Sequence, residues 1–210
     1  MNFFNKILTF FNINKRQAST ETMKKYLIVG LGNIGERYEN TRHNVGFKVL
    51  EALAKKFEVV FQTVKLGDLA KFNYKGRTFV LLKPSTFMNL SGKAVRYWMN
   101  AEKIEIENIL VVGDDISIPF GVIRIKGKGT AAGHNGFQDV QDVLESTEYA
   151  RLRFGIGSDY PKGKQVDYVL GEWASEEQEQ LSERTQKAAD ACLSFGMIGL
   201  GMTMTGFNGK

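Results

Sequence analysis

A chain of 210 residues, 43% hydrophobic and 24% charged, can bury a full core in one domain, at roughly 150 residues per domain, and lies far from disordered or collagen-like compositions. One cysteine, Cys192, and two histidines exclude an internal disulfide and a cysteine-based zinc cage, and point to a reducing, cytoplasmic setting. The net charge of +5 favours an anionic partner without naming one.

Residues 1–22 stand apart. Apolar Phe3, Phe4, Ile7, Leu8, Phe10, Phe11 and Ile13 are interspersed with basic Lys6, Lys15 and Arg16, and no acid precedes Glu21. The run is far short of the roughly 20 residues a membrane span needs and has no A-x-A-like cleavage site. It reads as a poorly tied-down extension, with a short amphipathic surface helix as the alternative.

Residues 25–30 form an apolar run ending in glycine, the pattern of a buried strand feeding a tight turn. Over 44–57, Phe47, Leu50, Leu53, Ala54 and Phe57 recur at helical spacing, with Thr41 and Asn44 as candidate N-caps. A strand over 59–64 follows, then a hairpin of 70–74 and 78–83 across Lys75, Gly76 and Arg77. A helix over 89–100, strands over 109–113 and 122–126, a helix over 136–144 and a strand over 151–157 come next. A helix over 176–195 closes the pattern, with Cys192 packed in it as a small hydrophobe. Strands alternating with helices imply a single three-layer α/β/α domain over 23–196 with a mixed, mainly parallel twisted sheet. A glycine- and methionine-rich tail, 197–210, remains.

Sites in such sheets gather at the carboxyl ends of the strands. The turns there hold the acids Asp114 and Asp115, both histidines nearby, and Asn33, Asn44, Asn89 and Asn135. Asparagine both donates and accepts, so several in one cleft can hold an amide or ester from both sides. The first turn, GLGNIG, also satisfies the dinucleotide fingerprint through Gly30, Gly32 and Gly35, which suggests an NAD-dependent dehydrogenase. Against it, residues 36–43 carry no helical periodicity after the third glycine, and residues 59–67 supply no acid for the ribose.

The longer string GLGNIGERYENTRHNVG (30–46), with LLKPSTFMNLSGKAV (81–95), VVGDDISIPFGVIRIK (111–126), GHNGFQDV (133–140) and RLRFGIG (151–157), resembles the bacterial-type peptidyl-tRNA hydrolase family. The resemblance implies a monomeric α/β/α enzyme, without metal or other cofactor, that cleaves the ester between a peptide and the 3′ end of tRNA. It makes His43 the general base for the attacking water and Asp114 its orienting acid. Asn33 would tell a blocked peptidyl nitrogen from a free amine. Asn89 and Asn135 would bind the 3′ end and peptide backbone, Asn89 also as an oxyanion donor; Tyr38 and Phe87 would contact tRNA, and Met88 would line the peptide groove. Lys126 and Arg153 would clamp the 5′ phosphate, beside Arg124, Lys128 and Arg151. The helix dipole ahead of His43 and the charge of Asp114 act oppositely on the imidazole, so the sequence sets no direction for a net pKa shift. Ile34 replaces the family's usual proline, which leaves the Asn33 loop a less rigid expectation. Gly113 replaces a frequent histidine, and Ser117 a frequent second acid. A non-catalytic tRNA-binding relative is the other reading of the same blocks.

Overall fold

The computed structural model describes residues 23–209; the N-terminal extension of residues 1–22 lies outside them. Seven strands form one sheet in the order β2-β3-β4-β1-β5-β7-β6. They are β1 (Lys24–Gly30), β2 (Gln62–Val64), β3 (Gly67–Tyr74), β4 (Arg77–Pro84), β5 (Ile109–Asp115), β6 (Ile123–Lys126) and β7 (Ala150–Gly155). The central four, β4-β1-β5-β7, are parallel, while both edges are antiparallel. The helices are α1 (Val45–Lys56), α2 (Ser91–Glu102), α3 (Asn135–Leu144), α4 (Gln165–Val169), α5 (Ser175–Ile198) and α6 (Leu200–Phe207).

Central strands read as unbroken apolar runs because helices cover both faces. Tyr26 and Ile28 of β1 join Leu110 and Val112 of β5 in a core with α1 and α5. Leu27 and Val29 join Ile109 and Val111 in the opposite core, with Ala94 and Val95 of α2 and Phe137 and Val140 of α3. At about 25 cal/mol per Å² of apolar surface removed from water, these two cores are the main stabilising term.

The expected strand over 59–64 shrinks to Gln62–Val64. Glu58 takes a left-handed φ of 52° and Val60 is 81% exposed, so the chain meets the sheet only where β3 offers a partner. The expected caps also differ: neither Thr41 nor Asn44 caps with its side chain. The glycine- and methionine-rich end is helical. Gly199, with a φ of 83° open to glycine, ends α5 and starts α6. Asn208 then accepts from the Ile125 N–H at 2.6 Å and donates to its carbonyl at 3.0 Å. Its amide thereby occupies the open backbone edge of β6, the kind of edge that otherwise invites pairing with other chains.

Two of the three fingerprint glycines are spent on packing. A Cβ on Gly30 would lie 2.4 Å from the Gly46 carbonyl oxygen, and one on Gly32 would lie 2.8 Å from the Phe47 ring. A Cβ on Gly46 would in turn lie 2.4–2.6 Å from backbone atoms of Leu31 and Val112. These contacts seat the start of α1 directly on the ends of β1 and β5.

Candidate active site

That close seating brings residues 42–44, a 3-10 turn ahead of α1, over the carboxyl end of β5. Asp114, 3% exposed, stands at that end. Its Oδ1 lies 2.8 Å from His43 Nδ1 and 2.9 Å from His134 Nε2. His134 is the N-cap of α3, and its Nδ1 accepts from the backbone N–H groups of Gly136 (3.1 Å) and Phe137 (3.2 Å).

Those contacts set the protons. Two N–H groups aimed at Nδ1 of His134 leave its proton on Nε2, where it donates to Asp114. His43 likewise donates from Nδ1 to the carboxylate, which leaves Nε2 as that ring's acceptor. Burial alone would raise the Asp114 pKa, but the charges and N–H groups of the two imidazoles hold it well below the usual carboxylate range. Burial alone would lower the His43 pKa, and the charge and hydrogen bond of Asp114 outweigh it, so the net direction is upward from 6.5. The balance expected from the sequence is therefore tipped by a direct 2.8 Å contact that spacing along the chain does not reveal.

Ligand atoms of His43, Asp114 and His134 lie within 4.8 Å of one another, the compactness of a metal site. The donor set does not fit one. His134 could offer Nε2 only by losing the proton it gives to Asp114 while Nδ1 still accepted two N–H bonds.

Two cavities flank His43. One of about 420 Å³ is lined by Asn33, Phe87, Met88, Asn89 and Asn135, with Val166 and Val169 of α4 opposite. A smaller one of about 100 Å³ runs past Asp114 to Asp115 and Arg153. Asn33 is fixed on three sides: its N–H donates to Asn44 Oδ1 at 2.9 Å, its carbonyl accepts from Asn44 Nδ2 at 2.9 Å, and its Oδ1 accepts from the Met88 N–H at 2.9 Å. The Asn44 amide thus holds the loop that carries Asn33 and Ile34. With Oδ1 engaged, Asn33 offers the groove its Nδ2 donor. Phe87, Asn89 and Asn135 are exposed, Met88 is buried. Tyr38 stands outside both linings, half-buried beneath the Arg37 guanidinium at 4.5 Å.

The cations divide. Arg124 and Lys126 of β6 pair in register with Arg153 and Arg151 of β7, so like charges share one sheet face, an arrangement that needs anions or acceptors nearby. Arg151 is 1% exposed and donates to the carbonyls of Gly129, Thr130 and Thr147. Counted from sequence among the phosphate-facing cations, it instead holds the 127–134 loop, whose carbonyls have no strand partner. Arg153, also buried, donates to Asp115 at 3.0 Å and to the Thr130 carbonyl at 2.7 Å. Ser117 donates to Asp115 through both its N–H and its hydroxyl. Arg124, Lys126 and Lys128 are exposed.

Residues 27–210 match the family model for peptidyl-tRNA hydrolase. The chain belongs to the peptidyl-tRNA hydrolase family. It is 54% identical over 186 residues to a peptidyl-tRNA hydrolase of Phocaeicola vulgatus, covering 89% of this chain and 100% of that one. It is 50% identical over 184 residues to one of Porphyromonas gingivalis, covering 88% and 100%. The crystal structure of peptidyl-tRNA hydrolase from Acinetobacter baumannii superposes with a TM-score of 0.82 at 33% identity, over 89% of this chain and 96% of that one. The family's mixed sheet is the one described above, and the family match extends through α6, beyond the domain end expected at 196.

From sequence His134 counts only as one of two histidines near the strand ends, without a role, and neither Asn44's link to Asn33 nor the α4 wall is foreseen. His134 lies within the GHNG block, but histidine is an unusual cap, and only geometry reveals its second bond. Among the described residues no helix is long and apolar enough to cross a membrane.

Proposed function

We propose that in this hydrolase, which cleaves the ester linking a peptide to the 3′ end of tRNA, His43 is the general base and Asp114 its orienting acid. The observation that carries the reading is the 2.8 Å bond from His43 Nδ1 to Asp114, which leaves Nε2 as an acceptor in a groove lined by amides. Nε2 takes a proton from water as the water oxygen bonds to the ester carbonyl carbon. The ring, now imidazolium, is stabilised by Asp114. Collapse of the tetrahedral intermediate breaks the bond to the 3′ oxygen, which takes the proton back from His43. The products are a peptide acid and a free tRNA 3′ hydroxyl.

Asn33 Nδ2 donates to the carbonyl of a blocked peptidyl nitrogen. Asn89 and Asn135 hold the backbone, Asn89 also as the oxyanion donor, with Met88 beneath the peptide. Phe87 and Tyr38 offer aromatic faces to the tRNA, where stacking contributes about 1–3 kcal/mol per base. Lys126 leads the phosphate contact, with Arg124 and Lys128 beside it; Arg153 joins it by exchanging its Asp115 partner. We further propose that the protein acts as a cytoplasmic monomer, with a catalytic domain that runs from residue 23 through α6. A binding-only relative is disfavoured because base, acid and amides converge in one groove. Hydrolysis of N-acetylated aminoacyl-tRNA in the presence of chelator tests the reading: His43→Ala abolishes turnover while tRNA binding persists. Turnover by that variant at the wild-type rate would refute the assignment.

A further inference from the structure

Arg42 precedes the catalytic histidine and points away from it. Its side chain is nine-tenths buried, an expensive place for a charge unless it is paired. Nη2 donates to Glu177 Oε2 at 2.7 Å, and Nη1 donates to the carbonyl of Glu172 at 2.6 Å and of Tyr168 at 3.4 Å. The guanidinium lies over the Tyr168 ring at 4.3 Å. The backbone repeats the link: the Arg42 N–H donates to the Gly171 carbonyl at 3.0 Å, and Thr41 bridges to Glu172. The carbonyl partners end or follow α4, a helix of only five residues that cannot hold its own position, while Glu177 sits in the first turn of α5 and anchors the guanidinium. Yet Val166 and Val169 of α4 form the wall facing His43 in both cavities.

We infer that Arg42 is a positioning residue for the hydrolysis: its guanidinium straps the α4 wall to the turn that carries His43 and so sets the width of the substrate groove. The flat, bidentate donor and its stacked ring cannot be copied by lysine. A released wall forfeits substrate contacts that are equal in the ground and transition states, which raises KM and spares kcat. Loss of folded enzyme, the effect of a merely structural residue, would lower apparent kcat and spare KM.

Kinetics of R42Q, R42K and E177Q on N-acetylated aminoacyl-tRNA, with hydrogen exchange over residues 165–171 of the full chain, test the inference. R42Q raises KM about tenfold with kcat within about threefold; R42K and E177Q raise it less. Exchange quickens over 165–171 in each variant, and the acid limb of kcat/KM stays at its wild-type pH because the His43–Asp114 bond is untouched. Unchanged KM with unchanged exchange overturns the inference, as does a fall in kcat at constant KM. If R42Q does not fold, R42K and E177Q decide by the same split. The inference rests on the hydrolase reading of the groove. An inactive wild type would refute that reading, whereas the exchange experiment needs no substrate and judges the strap by itself.

Discussion

Replacing Asp114 with asparagine removes one negative charge from beneath His43 while keeping the side-chain volume and one oxygen acceptor. In the native protein that charge is buried, 2.8 Å from one imidazole and 2.9 Å from another. An imidazolium and a carboxylate with charge centres about 4 Å apart attract by roughly 4 kcal/mol at an effective dielectric of about 20. The attraction exists only after the ring has taken its proton, so the transition state gains it and the ground state does not. With about 1.4 kcal/mol per decade of rate, kcat/KM falls by about 10²- to 10³-fold. The pH profile moves too. As the proposed general base His43 must be neutral to act, and its native pKa lies above 6.5 because Asp114 outweighs burial. The acid limb of the wild-type profile therefore has its midpoint above 6.5. In D114N burial is left unopposed, and the midpoint drops below 6.5. Release of tRNA from N-acetylated aminoacyl-tRNA, followed from about pH 5 to about pH 9, reads both effects. A loss smaller than about tenfold, or an acid limb that stays in place, would refute the reasoning.

Three further outcomes are expected. His134→Ala loses a helix cap, costing about 1 kcal/mol of stability in thermal melts, and lowers kcat/KM by about tenfold through the lost donor to Asp114; His134→Asn restores the cap and most of the stability but not the rate. Asn33→Asp keeps the acceptor for the Met88 N–H and replaces the groove-facing donor with a negative charge. Its melting temperature stays near wild type, kcat/KM on blocked substrate drops by about 10- to 100-fold, and the preference for blocked over unblocked aminoacyl-tRNA shrinks. Lys126→Ala leaves kcat unchanged and reduces the slope of log KM against log salt concentration by about one, measured over a salt series.

The division between chain and fold is visible residue by residue. Residues 25–30 and 109–113 are legible as buried strands because a strand covered on both faces must be apolar at every position. The α1 stripe of Leu50, Leu53 and Ala54 is legible because a helix with one buried side repeats at 3.6 residues. Sites at strand ends follow from the α/β pattern, which places His43, Asp114 and the asparagines in neighbouring turns. Three things had no local signature. The proton arrangement of the site depends on His134 accepting from its own helix start while donating to a strand 20 residues away. Asn44 does for the Asn33 loop what proline would have done covalently, through bonds across 11 residues. Arg151 and Arg153 read as surface cations because charge patterning records sign and spacing but not whether a loop of unpaired carbonyls closes over them. Periodicity reports which side of an element is dry; hydrogen-bond partners are chosen by the packing of distant segments, and only the folded chain brings those segments within reach.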